Sequence, residues 1–374
     1  MKLERRLTQP QWLSVAVPVG SLVVAFAIMG VVLALTGHSP GNTYRKIVEA
    51  GFTGSGALSA TLISATPILF TGLAAAAAFR MQLFNIGAEG QLYLGAVGAS
   101  WIALQLGDRD ATSTPLFVVA MCAAAAVLGA LWGLIPGVLR AFARTNEIIT
   151  SLMLNYVAGL LLTYLIFDSS SYWRDTSTLQ ARAFPQGKPM PEASDWPTFG
   201  TSVVVPLGFL IGILTALVLW VLYTRMRFGF EVGVIADSPR AARYAGMRTR
   251  RKILAVMALS GAIAGIGGAS QIGDFTHTLD GSPTGLQAAA FGYTGIVVAA
   301  LARYNPFAVC LVAVLIGGLQ NAGYTLQGPD FPSGLVGVMQ GIILFCALGG
   351  ELLLRYRVRI TRVRSGTPVA EGAA

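Results

Sequence analysis

Long apolar stretches recur along the whole chain, and they constrain its fold more than any other feature. A helix that crosses a bilayer needs about 20 predominantly apolar residues. Runs of this kind cover residues 12–36, 57–79, 86–106, 115–139, 148–167, 202–224, 253–273, 285–302, 306–325 and 334–354. We therefore predict an all-α polytopic membrane protein with about ten transmembrane helices. A re-entrant run would lower that number to about eight or nine.

Composition supports this prediction. Only 11% of the 374 residues are charged, whereas 54% are hydrophobic. A soluble domain carries roughly 25% charged residues, so charge this scarce cannot cover a water-facing surface. The net charge of +9 does not indicate a nucleic-acid binder. The basic residues lie at the ends of apolar runs and form no single patch with interleaved aromatic residues.

The distribution of basic residues predicts the orientation. Cytoplasmic loops of membrane proteins carry an excess of Lys and Arg. When the N-terminus is placed in the cytoplasm, most of the 26 basic residues fall on that side, including eight between Arg225 and Lys252. We predict ten helices with both termini in the cytoplasm. The first apolar run, after Arg5 and Arg6, is too long for a cleavable signal and reads as a retained helix.

The predicted organisation is one transmembrane domain, 1–364, followed by a disordered cytoplasmic tail, 365–374. The longest outer loop, 168–201, contains aromatic residues and prolines, which suits either docking of an extracytoplasmic protein or ordinary anchoring at the membrane interface. Helices two to five and seven to ten begin on opposite sides of the membrane. This is the parity of an inverted repeat, and it would place a transport pathway between the halves near the midplane.

Polar residues interrupt the apolar pattern between the second and third runs. Asn85, Glu89 and Gln91 lie there beside Gly87 and Gly90. Polar groups at membrane depth are costly and face a cavity or a partner group. One interpretation places the three side chains on a solute pathway or in a broken helix at depth. The other is a cytoplasmic turn, with Asn85 as its cap and Glu89 in a first helical turn.

A second polar cluster opens the fifth run. Asn146 is a good N-cap residue, and Glu147 suits the first turn of the helix that follows. Asn155 and Tyr156 lie two turns deeper in an otherwise apolar helix. They either form hydrogen bonds between helices or contact the solute, and we assign both to the candidate pathway.

The basic loop 225–252 contains a short predicted helix. Ser238 and Pro239 form a helix start signal. A face of small and apolar residues follows, and Gly246 ends the helix. Such a face fits a groove on another protein. The alternative is a helix that lies on anionic lipid. The small and apolar residues of this face are Ala241, Ala242, Tyr244, Ala245 and Met247.

No motif indicates catalysis or metal binding. The chain has no GxxxxGK[ST] phosphate loop, no GxSxG and no HExxH. Its three cysteines lie in apolar runs without metal-ligand spacing, and His277 near Asp274 has no second His or Cys nearby. We therefore predict a protein that is not an enzyme and that needs no cofactor.

Three segments resemble a known family: FNIGAEGQLYLGA (84–96), NEIITSLMLNYVA (146–158) and GFEVGVIADSPRAARYAGM (229–247). They are similar to permease subunits of bacterial ABC importers of the branched-chain amino acid and ribose type, nucleoside or "simple sugar" subgroup. The resemblance covers roughly 57–354. It implies a protein of the bacterial inner membrane, with two paired permeases, two cytoplasmic ATPases and an extracytoplasmic solute-binding protein. In that scheme the residues that match the helix coupled to the ATPase are Ala241, Ala242, Tyr244, Ala245 and Gly246. Arg240 departs from that pattern, since it occupies the usual acidic position.

The function expected from this resemblance is nucleoside import by alternating access, with ATP hydrolysed on partner chains. Within the family, a second permease is more often a paralogue than a copy of the same chain. A sugar of the ribose or galactose type is the alternative cargo. A secondary transporter driven by an ion gradient, with Glu89 as its titrating carboxylate, is the alternative from another class.

Overall fold

The computed structural model describes residues 2–5, 12–107, 114–168, 171–281, 286–287, 289–327 and 334–359. The predicted disordered tail, 365–374, lies outside these residues. The first half contains β1 (Lys2–Arg5), α1 (Leu13–Leu35), α2 (Pro40–Val48), α3 (Ala57–Phe79), α4 (Ala88–Leu106), α5 (Thr114–Val138) and α6 (Glu147–Phe167). A short outer segment follows with α7 (Leu179–Ala183), β2 (Thr198–Phe199) and β3 (Val205–Pro206). The second half contains α8 (Leu207–Thr224), α9 (Arg227–Asp237), α10 (Pro239–Tyr244), α11 (Thr249–Gln271), α12 (Phe291–Leu301), α13 (Pro306–Thr325), α14 (Leu335–Arg355) and β4 (Tyr356–Arg359).

The helices confirm an all-α polytopic membrane protein. Every predicted apolar run contains one of them, and seven helices among the described residues are long and apolar enough to cross a membrane. The run 285–302 differs from its prediction, because α12 occupies only its last part. Eleven residues rise about 16 Å, roughly half the thickness of the hydrocarbon core. The predicted number of ten crossings is therefore not established by helix length.

Three local differences from the sequence prediction have clear causes. α2 was not predicted, since only nine amphipathic residues form it. α8 begins at Leu207 rather than 202, because the preceding residues pair as a small β2–β3 hairpin. The loop 225–252 holds α9 as well as the predicted short helix, and α11 begins within it at Thr249.

Two helices form the centre of the bundle. α3 and α11 contact each other, and each also packs on two helices of the opposite half: α3 on α12 and α13, α11 on α4 and α5. The contact between α4 and α6 has a counterpart between α12 and α14. This exchange of central helices agrees with the predicted inverted repeat, which remains a prediction.

Glycines allow the backbones of α4, α5 and α11 to touch. A Cβ on Gly261 or Gly265 would collide with the backbone of α5 at Gly129 or Ala125, and one on Gly95 would collide with Gly265. Gly261 and Gly265 have the small-xxx-small spacing that is typical of closely packed transmembrane helices. These contacts fix α11 against the first half of the chain.

Contacts between loops are found at the two ends of the bundle. At one end, Arg80 donates to the carbonyl of Tyr304 at 3.3 Å and lies over the ring of Tyr223. These three residues flank segments that were predicted to be cytoplasmic. At the other end the outer loop packs on the segment after α11, with the backbone N–H of Trp196 donating to the carbonyl of Gly273 at 2.9 Å. β1 pairs antiparallel with β4, which places Lys2–Arg5 beside Tyr356–Arg359.

Candidate solute pathway and coupling surface

The segment between α3 and α4 returns into the bundle. Asn85 is fully buried and donates to the hydroxyl of Ser260 at 2.8 Å, and Ser260 donates in turn to the carbonyl of Ala74 at 2.8 Å. Ala74 lies about 8 Å inside the end of α3, and Ser260 lies about 16 Å inside the start of α11. α4 therefore begins inside the protein. Of the two interpretations of this segment, the geometry favours a broken helix at depth over a cytoplasmic turn.

Side chains form hydrogen bonds with backbone N–H and C=O groups of this buried segment. Asn85 and Gln91 exchange hydrogen bonds at 3.0 and 3.2 Å, and the Asn85 oxygen accepts from the N–H of Gly87 at 2.9 Å. Asn155 of α6 accepts from the N–H of Gly90 at 3.0 Å and donates to the carbonyl of Ile86 at 2.9 Å. Irregular backbone at membrane depth is tolerated only where its N–H and C=O groups are buried in protein or line a water-filled cavity. Amide side chains are suited to this because each both donates and accepts.

Glu89 joins the N-termini of two helices. It lies in the first turn of α4, accepts from the hydroxyl of Tyr93 at 2.6 Å, and accepts from the backbone N–H of Gly292 in the first turn of α12. Helix N-termini carry partial positive charge, so one carboxylate stabilises both. Position 292 requires glycine, because a Cβ there would collide with Glu89. We call the group Asn85, Glu89, Gln91, Asn155, Ser260 and Gly292 the polar junction.

The structure brings together four of the five predicted pathway residues. Asn85, Glu89, Gln91 and Asn155 all belong to the polar junction and are buried. Tyr156 is 63% exposed, because successive residues of a helix point about 100° apart and the neighbouring Asn155 takes the buried direction. Sequence reasoning missed Ser260 and Gly292. A serine and a glycine in apolar helices carry no signal of their own, since small residues are common wherever transmembrane helices pack closely.

An exposed tyrosine pair lies beside the junction. The Tyr293 hydroxyl accepts from Asn155 at 3.3 Å, and its side chain is partly exposed. Tyr156 stands near the middle of α6, about 15 Å from either end. Tyrosines that only anchor a helix lie at the membrane interfaces. A phenol at mid-depth is better satisfied by a cavity or by another protein than by lipid.

The helix of the basic loop has the boundaries that the sequence predicted. Ser238 caps α10 by accepting from the N–H of Ala241 at 3.3 Å, Pro239 is its first residue, and Gly246 follows its end with a φ of 75°. Tyr244 is 94% exposed, and Ala241, Ala245 and Gly246 are exposed with it. Ala242 is buried against the protein itself. Four of the five predicted contact residues are therefore accessible to a partner, and Ala242 is a support beneath them.

A contact between the side chains of His277 and Asp195 and several backbone hydrogen bonds hold the outer loop against the segment after α11. His277 Nδ1 lies 2.7 Å from Asp195 Oδ1, and the N–H of Met190 donates to the carbonyl of His277 at 2.8 Å.

Within the described part of the chain, no three His, Cys, Asp or Glu residues are grouped so as to hold a metal ion. The three cysteines are free thiols.

Comparison with known proteins identifies the relatives of this chain. Residues 57–348 match the model of the family described as the permease component of branched-chain amino acid transport systems. The glucose ABC transporter permease protein TsgB13 of Haloferax volcanii is 33% identical over 98% of this chain and 95% of its own length. The guanosine permease NupP of Bacillus subtilis is 30% identical over 88% of this chain and 91% of its own. The nucleoside permease NupB of Lactococcus lactis is 27% identical over 88% and 90%. No solved structure matches the chain significantly.

Proposed function

The chain belongs to the family of branched-chain amino acid transport system permease components, and we propose that the solute it carries is a nucleoside. As a member it is a multi-pass membrane permease, the transport subunit of an ABC importer rather than an enzyme. The observation that carries the nucleoside assignment is the similarity to the guanosine permease of Bacillus subtilis and the nucleoside permease of Lactococcus lactis. Each alignment covers about nine-tenths of both chains.

The polar junction supports a neutral solute. Discontinuous transmembrane helices commonly direct their N-termini at an anionic group of the substrate. Here the Glu89 carboxyl group already occupies the N-termini of α4 and α12. A free amino acid would bring a second carboxyl group to N–H donors that already have an acceptor. A nucleoside brings hydroxyls and amide-like groups without a charge.

The tyrosine pair supports a planar base. Aromatic side chains stack on nucleobases, with a contribution of about 1–3 kcal/mol for each base. Tyr156 and Tyr293 are exposed beside the junction at mid-depth. In this proposal Tyr156 and Tyr293 contact the passing solute, whereas Asn85, Glu89, Gln91 and Asn155 hold the broken helix that borders the pathway.

A second permease would cover the exposed face of α6 and close the pathway, and we assign this role to a paralogue. The chain resembles two different permeases in each of two organisms. In Bacillus subtilis these are the guanosine permeases NupP, at 30% identity, and NupQ, at 24%. In Lactococcus lactis they are the nucleoside permeases NupB and NupC. Pairs that share a named solute are what a heteromeric importer requires.

The two ends of the bundle offer surfaces to the remaining partners. The exposed face of α10 would dock on a cytoplasmic ABC ATPase through Ala241, Tyr244 and Ala245. An extracytoplasmic solute-binding protein would dock on the outer loop, 168–201. Both termini are assigned to the cytoplasm because the basic residues of the N-terminal and C-terminal segments follow the positive-inside rule.

Uptake in cells tests the assignment. Labelled guanosine and uridine are offered to a deletion strain with and without the restored gene, in competition with unlabelled nucleosides, ribose, glucose and leucine. We expect uptake to return with the gene and to be blocked by nucleosides alone. Nucleoside uptake that is unchanged by the deletion would overturn the nucleoside assignment.

A sugar is the second candidate because the glucose permease of Haloferax volcanii aligns over nearly the whole chain. Block of gene-dependent uptake by glucose or ribose, without block by uridine, would transfer the assignment to sugars. The ion-coupled transporter has no support, since the family is that of an ATP-driven system. Loss of uptake in a strain that lacks the partner ATPase would separate the two mechanisms.

A further inference from the structure

A cavity of about 650 Å³ lies beside α10 on the predicted cytoplasmic side of the chain, and Ala245 and Gly246 of the proposed ATPase contact border it. It is enclosed by α9, by the start of α11 and by the residues that connect α10 to α11. Four basic side chains line it: Arg227, Arg248, Arg251 and Lys252. Phe228 and Phe230 form its apolar wall.

The cationic lining follows from helix geometry. Residues three and four positions apart share one face of a helix. Arg248, Arg251, Lys252 and Ala255 of the α11 segment have this spacing, and all four line the cavity. Arg250 belongs to the same turn but points elsewhere, with its guanidinium over the ring of Phe142. The positive-inside rule explains why basic residues are on this side, but it does not explain why four of them converge on one cavity.

Most of this charge has no counterion in the chain. Lys252 is paired with Glu231 at 2.6 Å, so these two charges cancel. Among the residues that the structure describes, no carboxylate forms a salt bridge with Arg227, Arg248 or Arg251. Three guanidiniums beside the N-terminus of a 23-residue helix create a site for a doubly or singly charged anion. Guanidinium binds phosphate oxygens in pairs, which favours phosphate over other anions.

We propose that this cavity binds the headgroup phosphate of an anionic phospholipid from the cytoplasmic leaflet. Two observations select a lipid. α11 is a candidate membrane span that begins at Thr249, so Arg248 and Arg251 lie at the level where headgroups are found. Met226 and Phe230 beside the cavity are 53% and 68% exposed, and such apolar side chains suit contact with acyl chains better than contact with water. The bound lipid would hold α9 against α11 and so fix the position of α10.

Native mass spectrometry of the purified importer tests this proposal with a matched pair of variants. Arg251→Gln and Arg250→Gln remove the same charge from adjacent residues, but only Arg251 lines the cavity. Each complex is purified with its ATPase and exchanged into nanodiscs of phosphatidylglycerol and phosphatidylethanolamine. We expect the wild type and Arg250→Gln to retain one phosphatidylglycerol that Arg251→Gln loses at least tenfold more readily.

Three outcomes would overturn the proposal. Equal loss of lipid in both variants would show a diffuse charge effect. Displacement of the lipid by millimolar inorganic phosphate would indicate a site for a free anion. Unchanged lipid retention with loss of the ATPase from Arg251→Gln would show that the basic cavity contacts the ATPase. Arg248→Gln provides a second lining variant should Arg251→Gln fail to assemble.

Discussion

The polar junction and the basic loop both interrupt the apolar pattern of the chain, but the polar side chains of the junction are buried and those of the loop are exposed. At the junction, Asn85, Gln91 and Asn155 are buried and hydrogen-bonded within the chain. On the loop, α10 presents Tyr244 at 94% exposure, with no carboxylate or aromatic partner for it among the described residues. Polar residues in a membrane protein can therefore indicate two different roles. Polar side chains that form their hydrogen bonds within the chain predict a structural role, whereas exposed residues on a well-capped helix predict a partner outside the chain.

The largest effect is expected at the junction, where Glu89→Ala should remove both stability and uptake. The substitution leaves the hydroxyl of Tyr93 and the N–H of Gly292 without an acceptor. Each buried unsatisfied group costs about 1–3 kcal/mol, so we expect a loss of about 3 kcal/mol in the free energy of unfolding. Thermal unfolding in detergent and nucleoside uptake measure the two effects. Glu89→Gln, which keeps an acceptor, should lose less stability. A Glu89→Ala protein as stable as wild type would contradict the structural role.

Ala245→Glu should abolish uptake without destabilising the protein, which is the opposite outcome on the loop. Ala245 is exposed, so a carboxylate there costs the permease little, but its bulk and charge would prevent docking into a groove. Co-purification with the ATPase and uptake are the measurements. Ala245→Ser is the control and should retain both. Normal transport by Ala245→Glu with the ATPase bound would remove this residue from the contact.

Tyr156→Ala should lower uptake about tenfold, which corresponds to the loss of about 1.4 kcal/mol of stacking. The unfolding temperature should stay unchanged, because the side chain is mostly exposed within the chain. Tyr156→Phe keeps the ring and should retain uptake. Tyr156→Ala therefore tests the role of the exposed face of α6 separately from that of the polar junction. Full activity of Tyr156→Ala would remove Tyr156 from the pathway.

The smallest effect is expected from Ser238→Ala, which removes the side chain that caps α10. Loss of an N-cap costs about 1 kcal/mol of helix stability. Because α10 has only six residues, we expect it to fray and uptake to fall a few-fold. Ser238→Asp, which can also cap, should restore uptake. Hydrogen exchange of the backbone amides of α10 reports the fraying, and unchanged exchange in Ser238→Ala would contradict it.

The sequence alone predicted the local features that depend on neighbouring residues. Helix positions followed from apolar run length, and the boundaries of α10 followed from Ser238, Pro239 and Gly246. The cap at Asn146 was predicted too, and its side chain accepts from the N–H of Ile148 at 2.9 Å. The prediction for Glu147 was incomplete, since its carboxylate also pairs with Arg140 at 3.2 Å. That partner precedes the helix, and local pattern does not select it.

Apolar length and capping residues thus determined that this chain is a membrane protein and where most of its helices lie, and charge asymmetry predicts which loops share a side. These are properties of short segments in contact with lipid or water. The tertiary structure decided that Asn85 and Ser260 meet, 175 positions apart, and that Glu89 serves α12 as well as α4. It also decided that Tyr156 faces outward and that Arg251, but not Arg250, lines a cavity. Such pairings depend on how helices pack against one another, and many residues outside the pair fix that packing.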